Sequence, residues 1–150
     1  MIKPGYRLQV LFVCGGCTCR SPMAAALATS VLAGLADVSS AGVAARFSRR
    51  AHPLAVEAMK THYGMDISAH SPRDARDLDL ARYDLLVALD HIVAHELRTR
   101  FGVPAEKLLE VEIPDPYIEG TAAAYRTTAM ALPALVENVR RLLEGLGASQ

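Results

Sequence analysis

Cysteine is scarce in this chain. There are three in 150 residues, an odd number crowded between positions 14 and 19, and such a set builds no disulfide framework of the secreted kind. That usage points to a reducing, cytoplasmic setting. Net charge is absent as well: 16 Lys and Arg balance 16 Asp and Glu, leaving no long-range field to hold a polyanion such as duplex DNA. Nucleic acid is therefore not an expected partner. No apolar run reaches the roughly 18 residues of a transmembrane span. The nearest, residues 23–36, is interrupted by Thr29 and Ser30 and reads as a buried helix, so no membrane partner is expected either. Lys3 and Arg7 ahead of the apolar residues 8–13 and Cys14 outline a short export or lipid-anchor signal. That segment is too short for the apolar region of a signal, and bulky Val13 disfavours cleavage. Repeats and low-complexity blocks are missing too. What is present is 51% hydrophobic and 21% charged residues, the composition of a chain that buries a core, and one compact domain over residues 1–150 is expected.

Strand and helix signals alternate. The apolar run 8–13 predicts a strand covered on both faces, and the Ala- and Leu-rich 23–35 predicts a helix. A second strand is expected at 38–43, and His52-Pro53 opens a helix that stops at Gly64. Residues 83–89, YDLLVAL, read as a third strand, and 91–101 as a helix closed by Gly102. A fourth strand follows at 107–113, then a Pro/Gly-punctuated loop at 114–120. Helical spacing resumes over 121–146, where Pro133 is expected to kink or restart the helix. Strands separated by helices predict an α/β, three-layer domain: a four-stranded parallel sheet with helices on both faces. Ligands of such sheets sit at the carboxyl ends of the strands, near a switch point in strand order. The first strand-to-helix loop lies there.

That loop reads Cys14-Gly15-Gly16-Cys17-Thr18-Cys19-Arg20-Ser21-Pro22. Gly15 and Gly16 permit unusual backbone angles that turn successive N–H groups inward, and Ser21-Pro22 resembles an N-cap followed by a first-turn proline. Inward amides and the positive helix end can surround a tetrahedral oxyanion, while Arg20 offers a permanently charged fork for two of its oxygens. The same field is expected to lower the pKa of Cys14 and supply a thiolate. A departing oxygen or nitrogen also needs a proton. Asp115, in Pro114-Asp115-Pro116-Tyr117, is the candidate acid, stiffened by two prolines after the fourth strand. Alone, an Asp between prolines reads as a turn residue. The Cys-x5-Arg loop makes the acid the better reading.

The run VCGGCTCRSPMAAAL, the Ser-Ala-Gly at positions 40–42, the stretch from His70 to Arg73, YDLLVALD and the late Asp-Pro-Tyr together resemble the low-molecular-weight protein tyrosine phosphatases. The likeness spans nearly the whole chain in the same order. It implies that Cys14 attacks phosphorus to form a phosphocysteine and that Arg20 and the loop amides hold the oxygens. Asp115 would protonate the leaving group and then serve as base for the hydrolytic water, with no metal or cofactor. Gly15, Gly16, Cys17, Thr18, Cys19 and Ser21 would form the phosphate loop, with the Ser21 hydroxyl donating to Cys14. Ser40 and His70 resemble loop-bracing positions, and Asp90 one that orients Arg20. The plainer alternatives are a strand-end cap, an ordinary histidine and the N-cap of the helix at His91.

Two departures bear on activity and substrate. The family usually has Asn where this chain has Cys17, an amide that braces the loop and tolerates a strained backbone angle. Cysteine there creates a Cys14/Cys17 pair beside the family-like Cys14/Cys19 pair. Either partner could trap the nucleophile as a reversible disulfide, or Cys17 could be a small buried hydrophobe. The other departure concerns substrate. Thr18 resembles the protein-arginine phosphatase branch, whereas a phosphotyrosine ring can stack between Phe47 and Tyr117, which must serve in a chain without tryptophan. Arg46, Arg49 and Arg50 form a basic stretch, more simply a solvated face than an attraction for acidic residues flanking a phosphosite. Phosphorylated proteins, chiefly on tyrosine, are the expected substrates of a monomer or weak dimer. Arsenate reductases share the loop but use later cysteines, which are missing here. A zinc site lacks a fourth ligand. A phosphate-binding module without catalysis would not require Asp115.

Overall fold

The computed structural model describes residues 7–149, with side chains through residue 146. Lys3 of the candidate export signal lies outside the described residues. Arg7 precedes the sheet and bonds Asp37, while the apolar segment and Cys14 form strand β1, Leu8–Cys14, the centre of the molecule. Its side chains alternate between two apolar layers: Leu8, Val10, Phe12 and Cys14 on one side, Leu11 and Val13 on the other. Burial on both faces explains why the run is continuous rather than alternating. Strands β2 (Ala36–Gly42), β3 (Leu85–Ala88) and β4 (Leu108–Glu110) complete a parallel sheet of order β2-β1-β3-β4. The Val10, Phe12 and Cys14 face is covered by helices α1 (Arg20–Val31), α2 (Pro53–Tyr63) and α5 (Ala122–Ser149), and the opposite face by α3 (His91–Thr99). This is the expected three-layer α/β arrangement. Its switch point falls between β1 and its neighbours β2 and β3, whose carboxyl ends meet at Cys14, Gly42 and Ala88.

Most differences from the sequence expectation lie at element ends. Helix α1 begins at Arg20 instead of residue 23, and β4 is only three residues long because Val111 and Ile113 continue along β3 by single hydrogen bonds to Ala88 and Leu89. The loop at 114–120 contains a one-turn helix α4, Pro116–Glu119, closed by Gly120 at φ +73°. Pro133 neither ends nor restarts α5, which runs through it. A proline leaves the carbonyl four residues earlier without its helical donor. Here that carbonyl belongs to Ala129, and the Tyr63 hydroxyl of α2 donates to it at 2.5 Å. No helix among the described residues is long and apolar enough to cross a membrane.

Candidate active site

Cys14, the last residue of β1, lies on the floor of a cavity of about 510 Å³ and is 3% exposed. Gly15, Gly16, Thr18, Cys19 and Arg20 rise around it, and among the described residues no backbone carbonyl accepts the N–H groups of Gly15 through Cys19. Unpaired amides grouped at a helix start suit an oxyanion. Neither Gly15 nor Gly16 has a positive φ, contrary to expectation. The left-handed residue of the loop is Cys17, at φ +57°. The glycine that matters sterically is Gly42 of the Ser-Ala-Gly motif: a Cβ there would overlap the Gly15 carbonyl and stand 2.9 Å from the Cys17 nitrogen. Packing of the loop against β2 therefore demands glycine at position 42. Ser21 is not the N-cap. It is the second residue of α1, fully buried, and its hydroxyl lies 3.0 Å from Cys14 Sγ. Cys19 holds the cap position, but its side chain does not cap the helix amides.

Burial pushes the Cys14 thiol up, a rise that the nearby Cys17 charge reinforces and that the Ser21 hydroxyl, the Ser21 amide and Arg20 oppose. The lowered pKa expected for Cys14 is thus reversed, because loss of water outweighs the field of the cradle. The sulfur with a lowered pKa is Cys17. Burial opposes its charge, but hydrogen bonds from His70, Ser21, Ser40 and the Arg73 backbone outweigh that cost. Cys17 Sγ lies 3.6 Å from both Ser40 Oγ and His70 Nε2. His70 Nε2 also donates to the Cys17 carbonyl at 3.0 Å. Burial alone would lower the His70 pKa, yet the Cys17 side chain, carbonyl and charge raise it. Ser40 and His70 thus both contact the loop at Cys17, its residue with a left-handed backbone. Cys19 is engaged elsewhere, 3.2 Å from the Tyr125 hydroxyl, and burial raises its pKa.

Arg20 is 5% exposed, and its direction is imposed. Nη1 donates to Asp90 Oδ2 at 2.8 Å and to the Ile113 carbonyl at 2.9 Å, while Nη2 lies 3.8 Å from Asp115 Oδ2. Asp90 makes two contacts at once: Oδ2 accepts from Arg20, and Oδ1 caps α3 by accepting from the Val93 amide at 2.7 Å. Burial works against its charge, but the Val93 amide and Arg20 hold its carboxyl below the usual range. Asp115 lies on the cavity rim, where Oδ1 caps α4 by accepting from the Tyr117 amide at 3.0 Å. Its other oxygen, Oδ2, is the one that lies 3.8 Å from Arg20 Nη2.

Phe47 and Tyr117 both line the cavity and are 89% and 64% exposed. Two further residues, His52 and Tyr125, were missed as part of this region. His52 lines the cavity, stacks on Tyr125 at 5.1 Å and meets the Tyr117 ring edge at 5.8 Å. Its Nδ1 accepts from the Leu54 amide at 3.1 Å as the cap of α2, so the ring is anchored. The His52-Pro53 pair signalled a helix start in the sequence. Nothing in the sequence said that this start abuts the rim.

A family model described as low molecular weight phosphotyrosine protein phosphatase matches residues 9–149. The chain belongs to that family. A probable low molecular weight protein-tyrosine-phosphatase, EpsP, of Ralstonia solanacearum is 33% identical over 142 residues, 89% of this chain and 97% of that protein. A protein-arginine-phosphatase of Bacillus subtilis is 31% identical over 150 residues, 91% of this chain and 97% of that protein. Among solved structures, the low molecular weight protein tyrosine phosphatase of T. tengcongensis superposes with a TM-score of 0.80 at 34% identity, over 89% of this chain and 98% of that one.

Proposed function

We propose that this phosphatase hydrolyses phosphotyrosine in proteins through a phosphocysteine on Cys14. The observation that carries the reading is one cavity that joins a floor sulfur, an imposed Arg20 and the rim carboxylate Asp115. The Cys14 sulfur forms a bond to phosphorus as the ester oxygen leaves, and Asp115 supplies the proton to that oxygen. Asp115 then takes a proton from water, whose oxygen displaces sulfur from phosphorus. Arg20 and the loop amides stabilise the charge on the equatorial oxygens in both steps, and no metal takes part. In this reading the enzyme works in the cytoplasm as a monomer or weak dimer on phosphorylated proteins.

A deep floor favours a long substrate side chain, and exposed Phe47 and Tyr117 supply aromatic faces at the mouth. Phosphoarginine is the second reading, favoured by Thr18 on the cavity wall. Phosphotyrosine and phosphoarginine peptides hydrolysed in parallel, with reductant, EDTA and a Cys14→Ser blank, separate the two. The expected outcome is the higher kcat/KM on phosphotyrosine; a preference for phosphoarginine would transfer specificity to Thr18.

Redox control follows from the same sulfur. A peroxide transfers one oxygen to the Cys14 thiolate, leaving a sulfenic acid and an alcohol or water, and a second thiolate displaces hydroxide to form a disulfide. Cys17, with its lowered pKa and its contact to the Ser21 hydroxyl that Cys14 shares, is the better attacking sulfur than Cys19, which is held by Tyr125. After peroxide, wild type and Cys19→Ser are expected to recover with dithiothreitol while Cys17→Ser does not. Recovery of Cys17→Ser with loss in Cys19→Ser would assign the role to Cys19.

A further inference from the structure

We propose that Arg49 and Arg50, with Arg46 beside them, form a lip that selects phosphoproteins with acidic residues next to the phosphorylated one. This rests on the phosphatase reading and narrows its substrate class. Arg49 and Arg50 stand at the mouth of the cavity, both exposed, on a segment clamped directly to the phosphate loop. The Val43 and Ala44 amides donate to the Cys14 and Gly15 carbonyls at 3.0 and 2.9 Å, and the His52 amide donates to the Thr18 carbonyl at 2.8 Å. Between these anchors the Ala45 amide donates to Asp74 at 3.0 Å. The arginines therefore ride on a short tether with both ends fixed to the loop that would hold the phosphate.

Their charge is uncompensated. Arg76, Arg98, Arg100 and Arg140 each sit beside a carboxylate, whereas Arg46, Arg49 and Arg50 have no ion pair among the described residues. Residues 38–56 contain no Asp or Glu. Asp74, the carboxylate beneath the lip, is 4% exposed and already bound by Arg76. Among the described residues, Asp115 is the one carboxylate lining the cavity. Because the whole chain is neutral, this positive patch is a local feature rather than part of a general basic surface. A residue adjacent to the phosphorylated side chain must pass the mouth, where a carboxylate meets the guanidinium forks of Arg49 and Arg50. The rim contributed by α4 differs in chemistry: it presents the exposed Tyr117 ring, with exposed Ile118 next to it, and the carboxylate of Asp115. Acidic neighbours are thus drawn to one side of the mouth only.

Matched phosphotyrosine peptides with acidic, neutral and basic flanks test the lip. At low salt the acidic peptide is expected to show about tenfold higher kcat/KM than the neutral one, carried by KM, and to lose much of that margin above 0.3 M salt. The Arg49→Glu/Arg50→Glu double variant should reverse the ranking of the three peptides relative to one another. Equal kcat/KM on the three peptides, or an acidic preference that survives in the double variant, would overturn the proposal. Fluorescence anisotropy of the same peptides on Cys14→Ser reads the lip independently of turnover. A wild type inert to p-nitrophenyl phosphate whose Cys14→Ser form still ranks the peptides by charge would sink the phosphatase reading and leave the lip standing; equal affinities would sink the lip.

Discussion

Cys14→Ser is expected to abolish turnover, by about 10⁵-fold or more, the scale on which loss of a covalent nucleophile is felt. The exchange is one atom, so the cradle survives it: Ser21 retains a partner and the fully packed floor gains no bulk. The chemistry does not survive. A serine hydroxyl is far harder to ionise than a thiol even where burial raises the thiol, and its phosphoester would resist the second displacement because alkoxide is a poorer leaving group than thiolate. Steady-state assays on phosphotyrosine peptide, together with phosphate binding followed by calorimetry, separate chemistry from folding. Lost turnover with retained phosphate binding is the predicted pair. Turnover near the wild-type rate, with EDTA present, would remove Cys14 from the nucleophile's role.

Asp115→Asn is expected to lower kcat on phosphotyrosine by about 10²–10⁴-fold, the usual worth of a positioned proton donor. Asparagine is isosteric and also a good helix cap, so acceptance from the Tyr117 amide and the start of α4 are preserved. Arg20 loses its 3.8 Å neighbour but retains Asp90 and the Ile113 carbonyl. The deficit should therefore depend on the leaving group. p-Nitrophenolate departs readily without a proton, whereas the tyrosine phenolate is more basic and needs one. Rates of wild type and Asp115→Asn on both substrates decide the matter: a smaller loss on p-nitrophenyl phosphate supports the acid, while equal losses would mean that Asp115 acts through loop geometry alone.

The strand and helix order was legible because it rests on short-range pattern. Continuous apolar runs marked β1 and β3, and Gly64, at φ +65°, ended α2 where expected. The spacing of Cys14 and Arg20, one at a strand end and one at a helix start, was legible for the same reason. Boundaries were less so. Ser21 looked like a cap because its side chain caps helices well, yet the helix had already begun and its hydroxyl turned to Cys14 across the loop. Pro133 looked like a break because the hydroxyl that repairs it comes from Tyr63 on another helix.

Sequence alone determined the family, the layered α/β order and the identity of the sulfur, the guanidinium and the carboxylate that meet in the cavity. These are properties of residue type and spacing, and they need no knowledge of distant neighbours. Tertiary structure decided the rest. It made Cys17, rather than either glycine, the left-handed residue, and it gave the lowered pKa to Cys17 instead of Cys14. It turned Asp90 into cap and clamp at once, brought His52, stacked on the buried Tyr125 ring, to the rim, and fastened an unpaired basic lip to the phosphate loop. Each of these depends on desolvation or on hydrogen bonds between residues far apart in the chain, and neither can be summed until the chain has folded and both partners face each other.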